Sequence, residues 1–113
     1  MNIIHKRETK HHKNSDACTA IEYPMNDKDI NGAVIQLKGR YPAKGKVSNT
    51  VCKEMAYVIK GKGKLTIEND VYEVAEGDLV LIHPNEEYAW EGELEMFVPC
   101  TPAWYAVQHK SVE

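Results

Sequence analysis

Glu54-Met-Ala-Tyr-Val-Ile-Lys-Gly61 and Gly77-Asp-Leu-Val-Leu-Ile-His-Pro-Asn-Glu-Glu-Tyr88 are the two stretches on which the fold turns. Residues 54–60 read as a strand that ends at Gly61-Lys-Gly63. Residues 64–68 (Lys-Leu-Thr-Ile-Glu) alternate polar and apolar, the period of a half-buried strand. Asn69-Asp70 is a hairpin-turn candidate, because both residue types tolerate positive φ. Residues 71–75 follow as its second strand. Residues 79–82 are wholly apolar, which predicts a strand buried on both faces. Pro84-Asn85 suits the centre of a type II turn: proline presets φ, and asparagine accepts the left-handed region.

Working outward, short β-like runs with turn signals continue in both directions. Residues 17–23 precede Pro24, residues 33–37 lie between Asn31-Gly32 and Gly39, and residues 39–45 read as a loop. Residues 88–91 and 93–98 form the last strands, broken at Gly92, with Leu94, Met96 and Val98 on one face. No segment keeps a helical period over three turns. Strands at this spacing predict an all-β sandwich or barrel. Residues 6–16 are polar and unpatterned, and predict a loose arm or long loop in which His11 and His12 are solvated.

A chain of 113 residues is one domain's worth and buries a core without disulfides or a structural metal. No apolar run approaches the roughly 18 residues of a membrane span. The N-terminal residues lack the apolar stretch of a signal peptide, so a cytoplasmic protein is expected. Cys18, Cys52 and Cys100 are odd in number and lack CxxC spacing, which predicts reduced, buried thiols. Net charge is −3 but unevenly spread. Residues 1–64 hold 13 of the 14 Lys/Arg and six of the 17 Asp/Glu, a balance of +7; residues 65–113 balance at −10. In one mixed sheet these charges pair across strands. A basic half diluted by an acidic one, with no recognition module, argues against nucleic acid.

The two opening stretches resemble the paired motifs of the cupin family. The first family motif places two histidines, one residue apart, before a glutamate, and a glycine after it. Aligning Glu54 and Gly61 puts Ser48 and Thr50 at the histidine positions. In the second motif, which begins at Gly77, His83 stands for a proline, Asn85 for a glycine and Tyr88 for the third histidine. The resemblance covers roughly residues 32–99. It implies that residues 1–113 form one cupin-like domain, a double-stranded β-helix or jelly-roll barrel, with the core barrel at 32–99. It also implies a homodimer paired through sheets, which hides edge strands. The glutamate of the family's metal site is retained and its histidines are not.

Strand parity places Ser48, Thr50, Cys52 and Glu54 on one face if the segment has no bulge. In a cupin that face lines the barrel. Glu54 is then an interior carboxylate that needs a metal, a cation such as Arg40, hydroxyl donors such as Tyr88, water or a proton. It anchors either a hydrogen-bond network or a ligand pocket. Ligand-binding candidates are therefore Arg40, Ser48, Thr50, Cys52, Glu54, Tyr88 and Trp90. No resident cofactor is expected; were a divalent metal held, Cys52, Glu54 and His83, with Cys100, have acceptable ligand types. Tyr41, Tyr57, Tyr88, Trp90, Trp104 and Tyr105 supply aromatic surface. Tyr88 and Trp90 share a face, fit to stack on a ring or to fill the barrel. Residues 100–104 are placed to fold back over the barrel mouth.

Three readings follow. One is a cupin that holds a small polar ligand, such as a sugar or organic acid, without turnover. A second is a sugar-modifying isomerase- or epimerase-like enzyme, with Glu54 or His83 as base and Tyr88 as acid. A third is a structural barrel with a packed interior.

Overall fold

The computed structural model describes residues 1–112. Nine strands are formed: β1 Lys10–Ser15, β2 Cys18–Tyr23, β3 Asn31–Tyr41, β4 Lys46–Asn49, β5 Lys53–Ile67, β6 Asp70–Ala75, β7 Leu79–Ile82, β8 Tyr88–Thr101 and β9 His109–Val112. Two single 3₁₀ turns, Lys6–Glu8 and Ala106–Gln108, are the only helical elements among the described residues. The strands pair antiparallel in the order β1-β2-β3-β8-β4-β9, and β5 adds to the other side of β8 and carries β6 and β7. This one sheet curls into a β-barrel, in keeping with the all-β sandwich or barrel that the strand spacing predicts and the cupin-like barrel that the resemblance implies.

β8 is the spine, with β3 along one edge and β5 along the other. Its alternate residues Trp90, Leu94, Met96, Val98 and Cys100 point inward and are buried. From β5, Ala56, Val58 and Leu65 meet them, and Leu37, Val74 and Ile82 complete the core. Each fully buried aliphatic side chain stabilises the fold by about 1.5–3 kcal/mol relative to exposure.

Two expected strand ends are bends instead. β5 runs through Gly61 and β8 through Gly92, where the two strands close on each other. At Gly92, φ is +135° and a Cβ would lie 2.6 Å from the Gly63 Cα; at Gly61, φ is +96° and a Cβ would strike the Glu93 carbonyl. Only glycine permits that approach, so here it marks curvature within a strand rather than its end. The 67–70 hairpin turns on Glu68-Asn69, one residue earlier than expected, with Glu68 at φ 53°. The Pro84-Asn85 turn forms as expected: Asn85 has φ 69°, and the Glu86 N–H donates to the His83 carbonyl.

Residues 10–15 are not a loose arm but the edge strand β1, held by backbone pairing to β2. Its polarity belongs to a sheet edge, which charged residues protect from further pairing. β7 is not buried on both faces: Leu79 and Leu81 are 62% and 50% exposed. The register sets them beside Tyr57 and Met55, and Tyr57 beside Phe97, so an apolar patch crosses the outside of β7, β5 and β8. The uneven charge resolves across strands. Glu91, Glu93 and Glu95 of β8 face Lys64, Lys62 and Lys60 of β5, and Arg40, Lys38 and Gln36 of β3. Lys38–Glu93 and Lys60–Glu95 close to 3.9 and 3.8 Å. As exposed pairs they contribute only about 0.2–1 kcal/mol each.

Candidate functional site

One side of the barrel stays open as a cavity of about 380 Å³. Ile35, Leu37, Ala56, Ile82, Met96 and Val98 form its apolar wall, and Tyr41, Tyr88, Trp90 and Trp104 add aromatic surface. Glu54, Cys18, Cys100 and His109 are its polar interior, while Lys10, Asn14 and Glu22 belong to β1 and β2 at its side. The edge strand therefore helps to build the cavity wall.

Glu54 collects three donors. Tyr88 OH donates to its Oε1 at 3.0 Å, Asn49 Nδ2 to the same oxygen at 2.5 Å, and the Cys100 thiol to Oε2 at 3.4 Å. None of these is a cation. Burial pushes the Glu54 carboxyl up from its usual range, outweighing the opposing bonds from Tyr88, Cys100 and Asn49. Burial also raises Tyr88 and Cys100, and Glu54 raises both further, so the phenol and the thiol keep their protons.

The second cluster hangs on Asn49. Its Oδ1 receives Trp104 Nε1 at 3.1 Å, Gln108 Nε2 at 3.1 Å and His109 Nδ1 at 2.7 Å. Indole N–H is donor-only, so it orients the Asn49 amide with oxygen towards Trp104 and nitrogen towards Glu54. Gln108 is oriented in turn, because its Oε1 accepts the Val51 and Cys52 backbone N–H groups. Beyond His109, Nε2 lies 3.0 Å from Tyr41 OH, and the two rings stack with centroids 6.3 Å apart. Burial lowers the His109 pKa and lifts Tyr41 to about 12. A neutral imidazole and a neutral phenol thus stand at the cavity.

The expected site residues divide. Glu54, Tyr88 and Trp90 converge on the cavity. Ser48, Thr50, Cys52 and Arg40 do not. The chain bends at Thr50 and Val51 between β4 and β5, which breaks the assumed parity and turns Asn49, not Ser48 or Thr50, towards Glu54. Ser48 is buried in β4 away from the cavity lining, and the Thr50 hydroxyl donates to the Gln108 carbonyl. The Cys52 thiol donates to the Pro102 carbonyl at 3.2 Å. Arg40 donates to the Pro42 and Gly45 carbonyls, pinning the loop before β4 instead of neutralising Glu54. His83 is exposed at its turn, where its N–H caps onto Glu86.

The metal implied by the resemblance does not fit these residues. Cys52, Glu54 and His83 do not converge, and no three His, Cys, Asp or Glu side chains among the described residues form a ligand group. Glu54 is engaged by an amide, a phenol and a protonated thiol, and the amide and phenol are poor ligands for a divalent ion.

Asn49, Gln108 and His109 are not legible as site residues: Asn49 is turned to Glu54 by the bend after β4, and Gln108 and His109 arrive at Asn49 through the folded-back C-terminal segment. That segment does close over the mouth, as the Cys100–Trp104 stretch suggests. Asn31 pins Trp104 by accepting its backbone N–H at 2.8 Å and donating to its carbonyl at 3.2 Å. The available signal is composition: Trp104, Gln108 and His109 are hydrogen-bonding residues spaced within one short segment after β8.

With this geometry in place the family is plain. The chain belongs to the cupin family: the family profile described as Cupin domain matches residues 43–98. Among curated proteins, none matches the chain in sequence. Its fold is similar to that of Pac13, described as a unique nucleoside dehydratase, with TM-score 0.90 and 17% identity over 100% of this chain and 92% of that one. A variant of Streptomyces Pac13 with uridine gives the same TM-score and identity over 100% and 91%. Ectoine synthase from P. lautus is similar at TM-score 0.74 and 13% identity, covering 100% and 91%. At these identities the likeness is one of fold.

Proposed function

We propose that the protein binds a small ligand bearing a planar ring and hydroxyl groups, and performs acid–base chemistry on it with its own side chains. The observation that supports this reading is the pairing of two proton-handling sets on one cavity. Glu54, biased to its protonated form and flanked by Tyr88, is an acid. His109, biased to its neutral form and in contact with Tyr41, is a base. Groups whose pKa values are pushed towards these states by burial are what general acid–base catalysis near neutral pH requires. Loss of water from a hydroxylated ligand uses both: one group removes a proton, and the other protonates the departing hydroxyl. The aromatic wall suits a planar base, and the nucleoside dehydratase activity named for Pac13 is of this reaction class.

A second reading, binding without turnover, is favoured by the closed network. Among the described residues every buried side-chain nitrogen and oxygen already has a partner. The test is a titration of uridine-type nucleosides and hydroxylated sugars, followed by proton NMR in deuterated water. The enzymatic reading expects saturable binding, loss of a hydroxyl or exchange of a carbon-bound proton, and loss of turnover with retained binding in Glu54→Gln. Binding with neither exchange nor product leaves the binder reading, and absence of binding across the set removes both.

The outer apolar patch around Tyr57, Leu79, Leu81, Met55 and Phe97 is assigned to a second copy of the chain. It is uncharged and therefore self-compatible about a two-fold axis.

A further inference from the structure

We propose that Asn49 is the positioning residue of this site: it holds His109 in the Nδ1–H tautomer and leaves Nε2 as the lone-pair nitrogen against Tyr41, making Tyr41 and His109 one base. The chemistry assigned to that base rests on the acid–base reading above; the tautomer does not.

The direction of each hydrogen bond follows from residues that have no choice. Trp104 Nε1 can only donate, so the atom it meets at 3.1 Å is the Asn49 oxygen. Backbone N–H groups of Val51 and Cys52 can only donate, so Gln108 turns its oxygen to them and its nitrogen to Asn49. Asn49 Oδ1 is thus an acceptor towards all its neighbours. His109 Nδ1, 2.7 Å away, must carry a hydrogen. In the neutral ring favoured by burial, Nε2 then has none, and the Tyr41 hydroxyl at 3.0 Å donates to it. Asn49 is itself held: its backbone carbonyl accepts the Asn85 N–H at 2.7 Å, and its Nδ2 donates to Glu54.

For a bound hydroxylated substrate the step balances within the protein. Tyr41 takes a proton from the substrate carbon as its own O–H proton passes to His109 Nε2, forming imidazolium. The C–H electron pair becomes the new double bond, and the neighbouring C–O bond breaks. The hydroxyl leaves as water with the Glu54 proton. Imidazolium and carboxylate remain, and proton return from the first to the second restores the site. Asn49 Oδ1 supports the imidazolium through Nδ1–H throughout, and Asn49 touches neither reacting atom.

The test reads the tautomer directly in the unliganded protein. Long-range ¹⁵N–¹H spectra of histidine-labelled protein, recorded above neutral pH and assigned by loss of one signal in His109→Phe, distinguish Nδ1–H from Nε2–H. The expected wild-type signal is Nδ1–H. Asn49→Asp, which keeps an oxygen acceptor, retains it; Asn49→Leu, which removes the acceptor, switches it to Nε2–H. An Nε2–H signal in the wild type, or an unchanged tautomer in Asn49→Leu, overturns the proposal. Should Asn49→Leu not fold, the wild-type and Asn49→Asp spectra decide alone, an Nε2–H signal in either counting against it. Because no substrate is present, failure of catalysis would strike the proposed function and leave this result standing.

Discussion

Glu54→Gln separates a carboxyl kept neutral by burial from one that the fold needs charged. The replacement is nearly isosteric. Its Oε1 still accepts from Asn49 Nδ2 and Tyr88 OH, so only the long thiol bond from Cys100 is altered. That loss is worth at most about 1 kcal/mol. The opposing gain depends on pH. The folded Glu54 pKa is raised, so its contribution to stability is fully present below the unfolded value of 4.5 and is lost as pH rises through the folded value. Each pH unit across that window is worth about 1.4 kcal/mol, or very roughly 5 °C in Tm for a domain of this size. Glutamine carries no such term. Urea or thermal unfolding of both proteins across the window is expected to give near-equal stability on the acid side, with the variant ahead on the alkaline side. A wild type that gains on the variant as pH rises would refute the reasoning, since it would mean that ionised Glu54 is stabilised by a cation.

Gly61→Ala should destabilise by about 3 kcal/mol or more, since left-handed strain and a clash with the Glu93 carbonyl add; denaturant midpoints check it. Both tryptophans of the chain, Trp90 and Trp104, line the cavity, so occupancy by an aromatic ligand should shift or quench intrinsic fluorescence, and an unchanged emission at saturation would place the ligand elsewhere. Light scattering should give a dimer mass for the wild type and a monomer mass for Leu81→Glu, whose side chain is 50% exposed in the isolated chain. Lys62→Glu should cost about 1 kcal/mol or less in low salt and less still in high salt, because its partner Glu93 also faces Lys38.

The barrel was legible because period-2 alternation and turn residues act locally. Leu94, Met96 and Val98 declare an inward face, and Pro84-Asn85 declares a turn, whatever surrounds them. Gly61 and Gly92 look like breaks in sequence because a glycine's permissiveness is visible there while the close approach that uses it is not. Leu79–Ile82 is more exposed than its composition suggests for a similar reason: apolar composition shows that a face avoids water, not whether this chain or another molecule covers it.

By itself, the sequence determined an all-β cupin-like chain, an inward Glu54 and the aromatic pair Tyr88 and Trp90, since face alternation on a regular strand needs only residue order. The tertiary structure alone decided what Glu54 meets. The bend at Thr50 and Val51 exchanged Ser48 and Thr50 for Asn49. The returning C-terminal segment brought Gln108 and His109 to Asn49 from 59 and 60 residues away. Hydrogen bonds over such separations depend on where backbones pass in space, and no local periodicity encodes that.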